Sequence, residues 1–533
     1  MKKNEKELNN YLKFLAKSAT IVLIGIVLSK VFTYIYKVFI ARWFGPEIYG
    51  LYSLAISVLG LFVFIALLGI DAGLVRFIPF YMAKGENKKL KYLLKFSFAC
   101  ILLSSIIVGV ILFLLSDFIS ITIFHEAKLA IFLKIFSILV PISSIIALVL
   151  SILNGYEKIG LYSFIENISK NATNVIFLAL LVLLGFGEMS VPASYLLGGI
   201  SVLFISYFII MKYVFSKSKT KNRKDKLGSD EKKSVRKEFL IYSIPLLFFG
   251  VVNIIFSWID SVSVGYFKSA TEVGIYNAAM PIALLLGIAP QLFIKLFLPL
   301  ISKEYGMNKM DNIKELTKQV TKWIILINLP LLILLFLFPE GFINLFFGKE
   351  YVSAALSLRI LVIGYFVFST FRISDRILAM AGKTKLLLLN VLAAVIVNIV
   401  LNIILIPRQT IFGIDNSLGV TGAAIATTIS NVLLGLLFLF QTKYYFSIFP
   451  FRRKLIRLVI ASLISGMIIF ISSLFININL VALVLLSVLF VIAYIILILL
   501  FRGLDRNDVL IIKSFFTKIG LNQKMSDKID FFE

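Results

Sequence analysis

Apolar runs of about twenty residues alternate with short polar connectors from residue 15 to residue 502. A hydrocarbon core about 30 Å thick takes about 20 helical residues at about 1.5 Å each. The pattern therefore predicts fourteen membrane spans, at 15–41, 48–70, 93–115, 130–153, 162–185, 191–212, 239–266, 272–300, 317–338, 353–380, 386–406, 419–442, 455–476 and 480–501. A lipid-exposed backbone must satisfy its own hydrogen bonds, so the expected fold class is all-α, a polytopic membrane protein. One strongly polar stretch interrupts the rhythm. Residues 216–238 carry ten Lys or Arg among 23 and read as a cytoplasmic tether attracted to anionic headgroups. It divides an N-terminal six-helix lobe (1–215) from a C-terminal one (239–446), with two additional spans (447–502) and a cytoplasmic tail (503–533) beyond.

The chain repeats itself across the tether. Tyr49-Gly50-Leu51-Tyr52-Ser53-Leu54-Ala55 opens the second span, and Val273-Gly274-Ile275-Tyr276-Asn277-Ala278-Ala279 opens the eighth. Phe77-Ile78-Pro79 and Phe297-Leu298-Pro299 close the same two spans, each before a Lys-rich stretch. With six spans per half the repeats run in the same direction, which implies an axis along the membrane normal and two bundles facing one cavity.

Composition narrows the function classes. The chain is 60% hydrophobic and 15% charged, too apolar to cover a water-soluble globule. Its net charge of +26 would suggest nucleic acid in a soluble protein, but the excess lies in alternate connectors, and nothing aromatic interleaves with the charges of the tether. The positive-inside rule puts those connectors, and with them both termini, in the cytoplasm of a cell-membrane protein. One cysteine (Cys100) and one histidine (His125) exclude disulfides within the chain and paired Cys or His metal sites, so neither a metal nor a cofactor is expected. The charged start, Met1 to Lys13, lacks a cleavable signal, and the first span reads as an uncleaved anchor. No GxxxxGK[ST] phosphate loop occurs.

Charged residues inside spans are the candidate chemistry, because each needs water, a partner or an interface within reach. Lys30 lies deep in the first span. Seven residues at about 100° each return to one direction, so Lys30, Tyr34 and Lys37 form a stripe suited to an anion. Asn253 and Asp260 share a face of the seventh span in the same way, and Asp260 is placed to pair with a basic cavity residue. Arg372 has the i+3 and i+4 spacing to Asp375 and Arg376 for a local charge pair or a substrate contact. Asn390, Asn398 and Asn402 line one side of the eleventh span, where interhelical hydrogen bonding is the expectation. None of these sets makes a catalytic constellation, so no enzyme is expected.

Two passages carry a resemblance to a known family: Trp258-Ile259-Asp260 through Gly265-Tyr266-Phe267 to Ala279, and Gly382-Lys383-Thr384-Lys385 through Asn398, Asn402 and Ile406-Pro407 to Gly422-Ala423-Ala424. Asp71 to Phe77 and Asn154-Gly155-Tyr156-Glu157-Lys158 extend it over most of residues 15–446. The chain resembles the polysaccharide-biosynthesis flippases of the multidrug/oligosaccharidyl-lipid/polysaccharide exporter superfamily. That resemblance implies two six-helix lobes, often with two added helices, and alternating access for a polyprenyl-linked sugar. Membrane lipids and glycan-assembly enzymes are the further expected partners, and nucleic acid is not. A looser likeness to lipid II flippases rests on Lys30 and Lys37, but Val38 stands where that family usually has Asp, which points away from lipid II. Two alternatives remain at this point: an ion-coupled multidrug exporter of the same superfamily, and a membrane glycosyltransferase or polymerase.

Overall fold

The computed structural model describes residues 2–215, 227–407, 410–411, 414–415, 418–452, 454–476 and 479–503. Half of the basic tether and nearly all of the tail, 216–226 and 504–533, lie outside the described residues. The N-terminal helices are α1 (Lys2–Leu67), α2 (Ile70–Ala83), α3 (Asn87–Asp117), α4 (Leu129–Gly155), α5 (Ile159–Ser163), α6 (Lys170–Leu183) and α7 (Ser190–Ile210). Beyond the tether come α8 (Ser229–Phe267), α9 (Ala270–Ala283), α10 (Ile288–Gly306), α11 (Met310–Leu337), α12 (Pro339–Phe346), α13 (Ala355–Met380) and α14 (Thr384–Leu405). The last three are α15 (Val420–Phe446), α16 (Leu455–Ser473) and α17 (Leu480–Leu500). The connector after α14 holds two two-residue strands, β1 (Thr410–Ile411) and β2 (Ile414–Asp415), paired antiparallel.

Among the described residues twelve helices are long and apolar enough to cross a membrane. They differ from the fourteen expected stretches in two places. The first two expected spans are two helices joined at a sharp kink and carry the one label α1; Gly45 takes φ 79° at the kink and Pro46 starts the second piece. Glycine tolerates that left-handed φ, and proline is at home in a first helical turn, where its missing N–H would have no partner. The fifth expected span is in three pieces, α5, a π-helical turn over Phe164–Ser169, and α6, and it carries Glu166 and Lys170. The second span also runs on past its expected end. Leu68 and Gly69, both at positive φ, mark a break, after which α2 continues the apolar run through Pro79 to Ala83.

Two compact units emerge. The first comprises Met1–Pro281, Phe347–Ala354 and Val391–Thr427. Its core gathers Ile70, Leu74, Phe77, Leu93, Leu153 and Phe239 from four helices. The second comprises Ile282–Phe346, Ala355–Asn390 and Thr428 onward. Its clusters set Ile324 and Ile325 of α11 against Ile373 of α13 and Leu458 of α16. On the far side of many helices apolar residues stay exposed, as Leu103 and Leu114 do in α3 and Val481 and Leu485 in α17. In water such a surface would aggregate; in a bilayer it is the lipid-facing belt.

Within the first unit the two matched sequence motifs lie against each other. A Cβ on Gly50 would fall 1.7 Å from the carbonyl oxygen of Ala270, and one on Gly274 would fall 2.0 Å from that of Pro46. Only glycine permits that backbone approach. The Tyr49 hydroxyl donates to the carbonyl of Asn277 at 3.0 Å, and the Tyr351 hydroxyl donates to that of Ala41 at 3.1 Å. Glu126 accepts the Ala270 N–H at 2.7 Å, tying the start of α9 to the connector ahead of α4. Beside it Lys128 pairs with Glu47 at 2.9 Å, and that hydrogen bond, with Glu188 nearby, holds its ammonium above the ordinary lysine range.

Candidate functional site

Helix α1 has three distinct faces around the lysine stripe. Gly25, Ser29 and Thr33, four residues apart, meet Ser163, Asn167 and Asn171 of the fifth span. Thr33 donates to Asn171 Oδ1 at 3.0 Å, Asn171 donates to Ser29 Oγ at 3.0 Å, and a Cβ on Gly25 would meet Ser163 Oγ and Asn167. Partner numbers rise together, so the two helices run parallel along a polar ladder. Leu28, Val31 and Ile35, roughly opposite on the helix wheel, are exposed apolar side chains. Lys30 and Lys37 project between the ladder and a third contact, where the Tyr34 hydroxyl donates to the Pro281 carbonyl of α9. The stripe thus turns away from the apolar belt, toward the side of α1 that meets the fifth span and α9. Lys30 and Lys37 are half-buried and within electrostatic reach of each other, an arrangement that favours an anion between or beside them.

Asp260 behaves differently from its expectation. Its carboxylate is buried, 4% exposed, and its partners are neutral. Asn398 and Asn402 donate to Oδ1 at 3.2 and 3.0 Å, Tyr276 donates to Oδ2 at 2.9 Å, and Thr427 also donates to Oδ2. Asn402 further donates to Asn398 Oδ1 at 2.9 Å. The anticipated pairing with a basic residue is corrected accordingly: four neutral donors from α9, α14 and α15 fill the acceptor sites a cation would use. Asn253, seven residues earlier on α8, is half-buried, and its carbonyl accepts from Ser257 Oγ at 2.8 Å. The asparagines of α14 do bond between helices, Asn390 through a reciprocal pair with Gln441 at 2.7 and 2.8 Å.

Arg372 belongs to the second unit. The expected local charge pair forms one residue along, between Asp375 and Arg376 at 2.8 Å. The Arg372 guanidinium instead lies over the Phe368 ring, 5.5 Å from its centroid, with Nε buried and without a hydrogen-bond partner. An aromatic face one helical turn back satisfies part of what a counter-ion would. The structure therefore brings Lys30, Tyr34 and Lys37 together, sets Asp260 in a hydrogen-bonded knot, and leaves Arg372 in another unit.

Several charged residues within predicted spans escaped the sequence reading, among them Lys322 of α11, 1% exposed, and a pair on the fifth span. Glu166 and Lys170 stand in the middle of the fifth span, 3.8 Å apart, one position before the ladder residues Asn167 and Asn171. Their signal was present, since two charges four apart within a predicted span meet the same criterion that singled out Lys30. Among the described residues no three His, Cys, Asp or Glu side chains converge in a way that could hold a metal ion.

Comparison with known proteins fits this architecture. The family model described as polysaccharide biosynthesis protein matches residues 15–305, and the MatE model matches residues 245–404. A putative O-antigen transporter of Shigella flexneri is 23% identical over 407 residues, 75% of this chain and 90% of that protein. The lipid II flippase MurJ of Bacillus subtilis is 20% identical over 487 residues, 84% and 87% of the two chains. Among solved structures, lipid II flippase MurJ in an inward closed conformation superposes with a TM-score of 0.71 at 19% identity, over 91% of this chain and 99% of that one. An inward-facing multidrug-resistance MATE transporter gives a TM-score of 0.63 at 14% identity, over 80% and 98%. With more than half of its length matched by one family model, and with twelve helices among the described residues long and apolar enough to cross a bilayer, the chain belongs to the polysaccharide biosynthesis protein family.

Proposed function

We propose that this protein is a flippase that moves a polyprenyl-phosphate- or pyrophosphate-linked oligosaccharide from the cytoplasmic to the outer leaflet of the cell membrane by alternating access. The observation that carries the reading is the lysine stripe of α1, turned to the interior beside a polar ladder. Lys30 and Lys37 would hold the phosphate, the sugar would follow in the wet space beside them, and the polyprenyl tail would stay in lipid. With the inside negative, each negative charge moved outward is favoured by about 2.3 kcal/mol per 100 mV, so the membrane potential can drive the step. Relatives named for O-antigen and lipid II transport support this class of substrate. The carrier reading also outranks an enzyme: the relatives are named as transporters and flippases. A cationic-drug exporter would want a buried carboxylate open to its cargo, and the acceptor sites of Asp260 are taken.

The test is translocation of a fluorescent lipid-linked oligosaccharide in proteoliposomes. Losing both ammonium groups removes about 3 kcal/mol of charge-assisted hydrogen bonding, or about a hundredfold in affinity. Lys30→Ala with Lys37→Ala should therefore slow translocation by about that factor at limiting substrate, and an unchanged rate would sink the stripe as the phosphate site.

The same reading includes fourteen spans, counting α1 as two and the α5 to α6 stretch as one, arranged as two six-helix lobes (1–215 and 239–446) with two added helices and both termini in the cytoplasm. Docking of glycan-assembly enzymes on the cytoplasmic side belongs with it. In a Cys100→Ser background, Gly85→Cys should react with an impermeant maleimide only after the membrane is opened, whereas Glu188→Cys should react in intact cells. The reverse pattern would invert the orientation.

A further inference from the structure

Glu166 and Lys170 sit where a charge is expensive and are not explained by packing. Lys170 lies about 16 Å along the fifth span from its start at Ile159, farther than a lysine side chain extends, so its ammonium does not return to the surface there. The two side chains form one row at i and i+4, yet their closest approach of 3.8 Å exceeds a hydrogen bond, and they are 35% and 46% exposed. A pair buried for stability would be closer and drier. Lys170 is also within electrostatic reach of Tyr162 and Tyr195, and Tyr195 packs against Tyr36 and Tyr52 of α1, which places this row among the helices and not on the lipid belt.

The ladder fixes on which side the row opens. The first and fifth spans run parallel, with Ser29 and Thr33 facing Asn167 and Asn171. On α1 the lysine stripe lies clockwise of the contact line, viewed from the N-termini; Lys30 follows Ser29 by one residue, or about 100°. On the fifth span Glu166 and Lys170 precede their ladder neighbours by one residue, about a quarter turn the other way, the π turn over Phe164–Ser169 rotating less per residue than an α-helix. Across a parallel contact those opposite rotations point to the same side. By this rotation Lys30, Lys37, Glu166 and Lys170 lie on one side of the contact, the side on which a substrate cleft would open, three cations to one acid.

We propose that Lys170 and Glu166 read the sugar next to the phosphate, and that the cleft selects glycans bearing a carboxylate, such as a uronic acid. This rests on the flippase reading and adds a substrate class to it. Lys30 and Lys37 match the phosphate charge, which leaves Lys170 as a third cation. An ammonium has three donors, and none of those of Lys170 is committed at hydrogen-bond distance, so a sugar carboxylate can take them. Glu166 steadies the ammonium and accepts sugar hydroxyls. A neutral sugar offers Lys170 no counter-ion.

Two synthetic polyprenyl-pyrophosphate disaccharides, differing only in glucose against glucuronic acid at the terminal position, decide the matter when translocation of each by the full chain is measured in proteoliposomes. The wild type should move the uronate lipid about tenfold faster at limiting concentration. In Lys170→Gln that ratio should fall to about one, in Lys170→Arg it should persist, and in Glu166→Gln it should hold or rise. A variant that folds in lower yield slows both lipids together and leaves the ratio readable. A wild-type ratio near one, or an unchanged ratio in Lys170→Gln, overturns the sugar-reading role while translocation itself stands. If the wild type moves neither lipid, the flippase reading fails and this inference fails with it.

Discussion

Gly50→Ala is expected to destabilise the protein by at least about 3 kcal/mol, the upper range for forcing extra volume into a packed interior. The added Cβ would lie 1.7 Å from the Ala270 carbonyl oxygen, a backbone atom that no rotamer change can move. The second piece of α1 and the start of α9 would have to part, and the Tyr49 to Asn277 and Glu126 to Ala270 hydrogen bonds would stretch with them. Gly274→Ala should do the same through the Pro46 carbonyl. Combining the two should cost much less than the sum, because once the crossing has opened the second methyl meets little resistance. Thermal unfolding in detergent reads all three, with Gly306→Ala, which would meet nothing within 4 Å, as the control. A Gly50→Ala protein that melts with the control would show that the two segments are not in contact.

Asp260→Ala should be nearly as damaging, at about 3–5 kcal/mol, for a different reason. It leaves four donors, from Tyr276, Asn398, Asn402 and Thr427, aimed at an empty acceptor in a place water does not readily reach. Asp260→Asn preserves the shape but turns one acceptor into a donor facing donors, so it should fall between alanine and wild type. Thr427→Val removes a single donor and should cost about 1–2 kcal/mol. The graded series, measured as unfolding free energies under one set of conditions, separates a knot from a bystander. Were Asp260→Ala to cost less than about 1 kcal/mol, the four bonds would not be holding α8 to α14 and α15.

Length and hydropathy made most of the helices legible, because a span is defined by the thickness it crosses. They did not reveal how spans join. Residues 42–47 read as a connector, and the turn there is made at Gly45, in a non-helical conformation, with Pro46 opening the next helix. The fifth span hid its π turn, since widening a helix by one residue leaves no mark on composition. At the site, periodicity puts Lys30, Tyr34 and Lys37 on one row, because rows on one helix follow from 3.6 residues per turn. Partners on other helices do not follow from it. A cation was the natural partner for Asp260 on charge alone, but asparagine, threonine and tyrosine from three other helices took its place. Arg372 lies over an aromatic ring, with the Asp375 carboxylate within electrostatic reach but not paired at hydrogen-bond distance. Glu166 and Lys170 were overlooked although the rule that found Lys30 applied to them equally.

The glycine crossing has one further consequence. Gly50 approaches the residue four before Gly274, and Gly274 approaches the residue four before Gly50. That reciprocity is how two copies of one polypeptide meet across a two-fold axis, each lending the other the same patch. A contact of this kind has, inside a single chain, the geometry of an isologous dimer interface, so a bulky side chain at either glycine would disturb both segments alike.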